Sequence, residues 1–334
     1  MEKLDIKFFP KNSSVRYYSL ARHALLEALR LLTIMPGDKI LIPSFMCREF
    51  LAPINISGAI PVYYDSDDLL QPISFPMVEA PKAVIAVNYF GFAQNLAPFR
   101  DYCKKTGAIL IEDNAHGFLS CDEDGILLGC RGDIGIFSLR KTFPLPDGAA
   151  LLLNSNTFKD RLEKQLPCRS EPLPASFLVK RQLRTIQNMT GVPVRNLGEE
   201  LVRIVRKLKT GHAVPLSMPE AEKEIPGPPT VHCESLRILE KYDVAAETKR
   251  RRELFEQFSN LLSKMDIKPV FNSLHAGCAP YGYVFRADAA NALKVASLSR
   301  KFGFECSSWP DLPDSIATSA PVFYRNLWWV NFLC

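Results

Sequence analysis

Between residues 39 and 153 the chain alternates short, unbroken apolar runs with segments of helical spacing. No other feature restricts the fold as much. Lys39–Pro43 (KILIP), Ile60–Tyr64, Ala83–Val87 (AVIAV), residues 108–112 (AILIE), residues 134–138 and Ala149–Leu153 read as strands. A run that is apolar throughout, without polar alternation, fits a strand covered on both faces. Ahead of and between these runs, residues 15–32 place Leu20, Ala24, Leu25, Ala28, Leu31 and Leu32 at helical spacing, with Pro36-Gly37-Asp38 beyond. Residues 49–56 and 96–106 are further predicted helices, and Gly58 and Gly107 follow their ends. The pattern predicts an α/β chain built on a mostly parallel, doubly wound sheet with helices on both faces.

After Asn154 the pattern changes. Residues 155–230 are rich in proline and basic residues, with one predicted helix at 199–208, and the five prolines of residues 215–229 read as a linker. Residues 231–265 form a long helical stretch. Residues 266–334 read as a small α+β unit with a strand at Gly282–Arg286, a helix at 289–302 and a strand at 305–307. A length of 334 residues suits two domains. The expected division is a large ligand-binding domain over 1–230, with 155–230 as a divergent insert, and a small C-terminal domain over 231–334.

Composition narrows the function. The net charge is only +5, and the basic clusters at 180–184, 203–209 and 249–252 come with no nucleic-acid reader motif, so they read as solvated helix faces. The nine cysteines show no C-x-x-C and no zinc spacing, which predicts buried reduced thiols and no metal. Residues 1–14 lack an apolar signal region, and no run approaches the roughly 18 apolar residues of a membrane span. A cytoplasmic protein with no nucleic-acid or membrane partner is expected.

Ligands of doubly wound sheets sit at the carboxyl ends of the strands. Two predicted strand ends are polar here: Glu112-Asp113-Asn114-Ala115-His116 and Ser138-Leu139-Arg140-Lys141. A lysine whose ammonium is disfavoured by its surroundings can act as an amine nucleophile, and an aspartate can hold a proton on a pyridinium nitrogen. Pyridoxal 5′-phosphate (PLP) needs that pair, together with donors for its phosphate and a surface against its ring. Taken alone, Asp113 reads more often as a strand-end cap and Lys141 as a solvent-exposed lysine.

The wider pattern strengthens the case. Residues 36–61 (PGDKILIPSFMCREFLAPINISGAIP), the turn Asn88-Tyr89-Phe90-Gly91, the E-D-x-A-H of residues 112–116, the G-D-I-G-x-F-S of residues 132–138 and Trp309-Pro310 together resemble the DegT/DnrJ/StrS family of PLP-dependent sugar aminotransferases. The resemblance covers about 15–154 and 232–313. It implies the fold-type-I, aspartate-aminotransferase-like architecture and PLP as cofactor. Lys141 would carry the cofactor as a Schiff base and then shuttle a proton. Asp113 would pair with the pyridinium nitrogen, His116 would lie beside the ring and its phenolic oxygen, and Ser138 would bind the phosphate. Arg22 and His23 fall on the family's phosphate-binding helix start. Cys47 occupies the ring-stacking position, where the family has an aromatic residue, with Tyr89 or Phe45 as substitutes. Ser138 and Lys141 stand closer together than in the family, which reads as a short deletion. Asp147-Gly148-Ala149 stands where the family has E-G-G, and the family's G-x-N-x-R segment has no clear match. Arg140 and Thr142 flank the lysine as simple neighbours.

The implied activity moves an amino group, from glutamate, to a keto group on a nucleotide-linked deoxysugar in polysaccharide biosynthesis. The implied assembly is a homodimer. Two alternatives stay open. One is a PLP enzyme with a non-sugar acceptor, and the other is a degenerate relative that binds a ligand or partner without catalysis. The family's dehydratases replace the lysine with histidine, and Lys141 argues against that branch.

Overall fold

The computed structural model describes residues 8–10, 13–162, 164–190 and 218–333. Seven strands form the main sheet: β1 (Ser14–Tyr18), β2 (Lys39–Pro43), β3 (Ile60–Tyr64), β4 (Ala83–Val87), β5 (Ile109–Asn114), β6 (Ile134–Phe137) and β7 (Ala149–Leu153), in the order β1-β7-β6-β5-β4-β2-β3. The β2 to β6 strands pair in parallel, β7 runs antiparallel to β6, and β1 runs antiparallel to β7. This is the mostly parallel α/β architecture that the alternation predicts.

Side-chain period explains the unbroken apolar runs. Ile40, Ile42, Ile85, Val87, Ile111, Ile134 and Ile136 pack on one face, with Leu25, Ala28 and Leu29 of helix α1 (Ala21–Leu31). Leu41, Val84, Ala86 and Leu110 pack on the other, with Phe99 and Tyr102 of helix α3 (Ala97–Thr106). Both faces of each central strand are therefore apolar. The short helix α2 (Leu51–Ile56) lies between β2 and β3.

The first predicted helix begins too early in the sequence reading. Residues 15–18 form β1, with Ser14 opposite Leu153 and Tyr18 opposite Ala149, and α1 starts only at Ala21. Val15, Tyr17 and Tyr18 are strand-favouring residues, and β7, more than 130 residues away, provides the edge they pair with.

The C-terminal region carries a second sheet of three antiparallel strands in the order β8-β10-β9: β8 (Gly282–Arg286), β9 (Cys306–Ser308) and β10 (Leu327–Asn331). The central strand, β10, has no counterpart in the sequence reading. The stretch 231–265 is two helices, α6 (Cys233–Glu240) and α7 (Val244–Ser263), broken where the Asp243 side chain accepts from the Ala246 N–H at 3.0 Å and caps α7. Leu236 and Leu239 of α6 pack with Phe137 and Phe143 beside the main sheet.

Between the two sheets, helix α5 (Ala175–Thr190) was not anticipated, although Pro172 and Pro174 precede it. The helix predicted at 199–208 lies outside the described residues. From residue 218 the expected linker is docked: Asn55 Nδ2 donates to the Glu222 carbonyl at 2.7 Å, and Arg48 approaches the Glu222 carboxylate at 3.5 Å.

The expectation of reduced cysteines is corrected at one pair. Cys168 and Cys233 form a disulfide. The cause is a backbone bridge between Arg169 and His232, in which the Arg169 N–H donates to Val231 and the Cys233 N–H to Arg169, each at 2.8 Å. Those bonds bring the two cysteine Cα atoms to 5.0 Å.

Candidate active site

Strand register assembles the floor of the main pocket. Val87 lies opposite Asp113, and Asp113 opposite Ile136, so Ile85, Val87, Ile111, Asp113 and Ile136 emerge on one face at the carboxyl ends of β4, β5 and β6. The same alternation sends Glu112 to the opposite face. There Asn88 Nδ2 donates to its Oε1 at 2.9 Å, and the Arg131 N–H and Nε donate to its two oxygens at 3.0 and 2.8 Å. Two adjacent carboxylates therefore have opposite roles, Glu112 as a buried clamp on the following loop and Asp113 as a pocket group.

Lys141 enters from helix α4 (Leu139–Thr142), whose first turn follows β6 directly. Ser138 precedes it as the N-terminal boundary residue, and the Lys141 N–H donates to the Ser138 carbonyl at 3.2 Å. The lysine Nζ lies 3.1 Å from His116 Nε2. His116 Nδ1 is buried and has no hydrogen-bond partner among the described residues. Its ring stacks on Tyr281 at 4.7 Å and 12°, and Phe90 and Trp309 flank it at 5.2 and 5.3 Å. The imidazole is thus fixed by aromatic packing and presents one nitrogen to the lysine.

The electrostatics follow from burial. Burial lowers the Lys141 pKa from its ordinary value; Cys47 and Asp113 oppose the fall and Arg140 adds to it. Burial and the Lys141 charge hold His116 well below the usual histidine range, so its ring is neutral. Burial raises Asp113, against the Ala115 N–H and Lys141. Asp113 Oδ1 accepts from that N–H at 2.8 Å, and its other oxygen takes no bond from the described residues.

The structure brings Lys141, Asp113, His116, Ser138, Arg22, Cys47 and Tyr89 to one pocket. His23 is not among the lining residues. It is buried one position along α1, where burial lowers its pKa against hydrogen bonding to the Pro226 and Gly227 backbone. The Tyr89 hydroxyl donates to the Phe45 carbonyl at 2.7 Å, and Phe45 sits behind the wall against Trp309 and Tyr324. Arg22 comes from the first turn of α1, which has no side-chain cap and no acidic residue. Among the lining residues that sequence reasoning did not assign to the site are Glu49, Arg140 and Trp309. Trp309 is far from Lys141 in sequence, and only the fold joins them.

Residues 14–168 match the family described as DegT/DnrJ/EryC1/StrS aminotransferase. The match takes in less than half of the chain. It contains all seven of the pocket residues just named. Among curated proteins, the chain is 33% identical over 120 residues to the UDP-N-acetyl-3-dehydro-alpha-D-glucosamine 3-aminotransferase of Acidithiobacillus ferrooxidans, covering 34% of this chain and 32% of that protein. It is 29% identical over 171 residues to the GDP-perosamine synthase of Escherichia coli O157:H7, covering 48% and 46%. The matched region therefore spans less than half of either relative. Among solved structures, the aminotransferase TlmJ of Streptoalloteichus hindustanus superposes with a TM-score of 0.64 at 19% identity, covering 95% of this chain and 80% of that one. DesV of S. venezuelae, solved with a ketimine intermediate, gives 0.62 at 17% identity, covering 95% and 79%. These likenesses establish the fold-type-I architecture outside the family-matched region too.

Proposed function

We propose that this chain is a PLP-dependent aminotransferase whose acceptor is a keto group on a nucleotide-linked sugar and whose donor is glutamate. One observation carries the reading: a partly buried lysine amine, a carboxylate with one oxygen unbonded by the described residues and a neutral imidazole meet at the carboxyl ends of β5 and β6. The residues fit PLP. The Asp113 oxygen left unbonded by the described residues suits a pyridinium N–H, and His116 lines the same pocket as Ile85, Val87, Ile111 and Ile136. Ser138, Arg22 and the uncapped start of α1 suit a phosphate.

When bound, PLP supplies an aldehyde and an electron-withdrawing ring, on which amino-group transfer depends. The chain's own residues then have defined tasks. Asp113 keeps a proton on the ring nitrogen. The Lys141 amine, its ammonium form disfavoured by burial, captures the cofactor and afterwards takes and returns a proton at Nζ. His116 holds Nζ in place through Nε2. The apolar floor excludes water, and Cys47 offers a thiol face where a relative would place an aromatic ring. The sugar acceptor is supported by the names of the curated relatives, and a homodimer is proposed with it.

The test is a visible spectrum of the purified protein with PLP, followed by borohydride reduction and peptide mapping. A yellow band with the reduced adduct on Lys141 is expected, and adding glutamate should bleach the band. Lys141→Ala should lower turnover by about 10²–10⁴-fold or more. No band, or an adduct scattered over surface lysines, would overturn the reading in favour of a non-catalytic relative.

A further inference from the structure

Arg140 carries a charge that no described residue pairs with. It precedes Lys141 in α4 and lines the same pocket. Its backbone N–H donates to the Gly148 carbonyl at 3.1 Å, which fixes the turn. Its guanidinium makes no hydrogen bond or ion pair with any described residue, and its Nε is shut off from solvent. Arg140 as a whole is partly exposed, so the desolvated part is Nε, and arginine does not relieve that cost by losing its proton.

The nearby carboxylates are already engaged. Asp147 accepts from Arg169 and from the Ser235 hydroxyl, both at 2.6 Å, and from the His232 N–H at 3.1 Å. Glu49 stands 3.7 Å from Arg22 and is half-exposed. Burial and the like charge of Arg22 lower the Arg140 pKa, against Tyr281, Glu49 and Asp147. Arg22 and Arg140 therefore line one pocket, near enough for the charge of Arg22 to act on Arg140, and the uncapped first turn of α1 lines it with them.

We propose that Arg140 and Arg22 form a two-arginine clamp for a phosphate group in this pocket, with Arg140 the deciding member. A planar guanidinium fork matches phosphate oxygens in pairs. Two forks and a helix start suit a dianion better than a single carboxylate. The phosphate is either that of the cofactor or the diphosphate of a nucleotide-linked substrate. The inference deepens the PLP reading and rests on it for the first of these sources.

The experiment compares wild type, Arg140→Gln and Arg140→Lys. PLP and pyridoxal, which lacks the phosphate, are titrated by absorbance, and UDP and inorganic phosphate by calorimetry. Circular dichroism and thermal melting check folding, and the lysine variant serves if the glutamine variant does not fold. Arg140→Gln should weaken PLP by at least about tenfold and pyridoxal by less than about twofold, the scale of a lost charge-assisted hydrogen bond. Arg140→Lys should recover part of the loss. Unchanged PLP affinity with a comparable loss for UDP would keep the clamp and assign it to the substrate. Unchanged affinity for both would overturn it. If wild type gives no band with PLP or pyridoxal, the cofactor reading fails. UDP and inorganic phosphate then decide the clamp, and equal affinities in wild type and Arg140→Gln would overturn it.

Discussion

Lys141 is the residue at which burial becomes chemistry. Only its neutral amine attacks an aldehyde, so capture of PLP should speed up as pH rises through the lysine pKa and then level off. Burial puts that pKa below the ordinary 10.5. Capture should therefore level off at a lower pH than for a free lysine, as followed by growth of the visible band over a pH series. Asp113→Asn removes a negative charge that supports the ammonium form and should move the midpoint lower still. Arg140→Gln removes a positive charge that opposes the ammonium and should move it up. A midpoint at or above 10.5, or shifts of the opposite sign, would mean that the amine is not desolvated as described. At this scale the sequence was informative about Lys141, Asp113 and His116, because strand ends and motif spacing mark them. Arg140 carried no such mark. A lysine's neighbour in a short helix can face any direction, and only its unanswered charge reveals a role.

Among the elements, α7 and α4 are joined by one buried group. Arg251 of α7 donates to the Thr142 carbonyl at 2.8 Å, to the Pro280 and Tyr281 carbonyls at 3.3 Å each, and to Glu247 at 2.7 Å. It thus ties the turn that carries Lys141 to Tyr281, the ring stacked on His116. Arg251→Ala would strand three carbonyls and leave Glu247 to Arg250 alone. A loss of at least about 1–3 kcal/mol in denaturant unfolding is expected, the range for a buried group left without its hydrogen bond. Burial pushes Glu247 up, but Arg250 and Arg251 overcome it and hold the carboxyl below its usual 4.5. Its contribution is then complete above the unfolded-state value and fades as pH falls through the lower folded one. Glu247→Gln should accordingly flatten the acid limb of the stability curve, and an unchanged limb would remove Glu247 from the clamp. The elements most legible in the sequence were β2, β4 and β7, whose both-face burial leaves continuous apolar runs, and the edge strand β3, which is apolar without being buried throughout. The β1 and β10 strands were hidden because their partners, β7 for one and β8 and β9 for the other, are distant in sequence. The α5 helix was hidden inside a proline-rich, basic stretch whose composition resembles a linker.

For the whole molecule, the long excursion after β7 is closed by the Arg169–His232 bridge, and both of those residues also hold Asp147, six positions after Lys141. The Cys168–Cys233 disulfide flanks that junction. The cysteines had no framework spacing in the sequence, because this pair is created by a backbone ladder between segments separated by 65 residues. A crosslink closing a loop of that length restricts the unfolded chain by about 4 kcal/mol in the chain-entropy account. Thiol titration in denaturant without reductant should therefore find the Cys168 and Cys233 thiols missing and recover both on reduction, to nine in all. Reductant should lower the thermal midpoint of the wild type and leave the Cys168→Ser/Cys233→Ser double variant unmoved. Because the crosslink borders the Asp147 junction, reduction should also slow capture of PLP by Lys141, a readout that stability alone would not change at temperatures where the reduced protein is still folded. Nine thiols before reduction would show that the backbone ladder and Asp147 close this excursion without a covalent staple, and capture would then be indifferent to reductant.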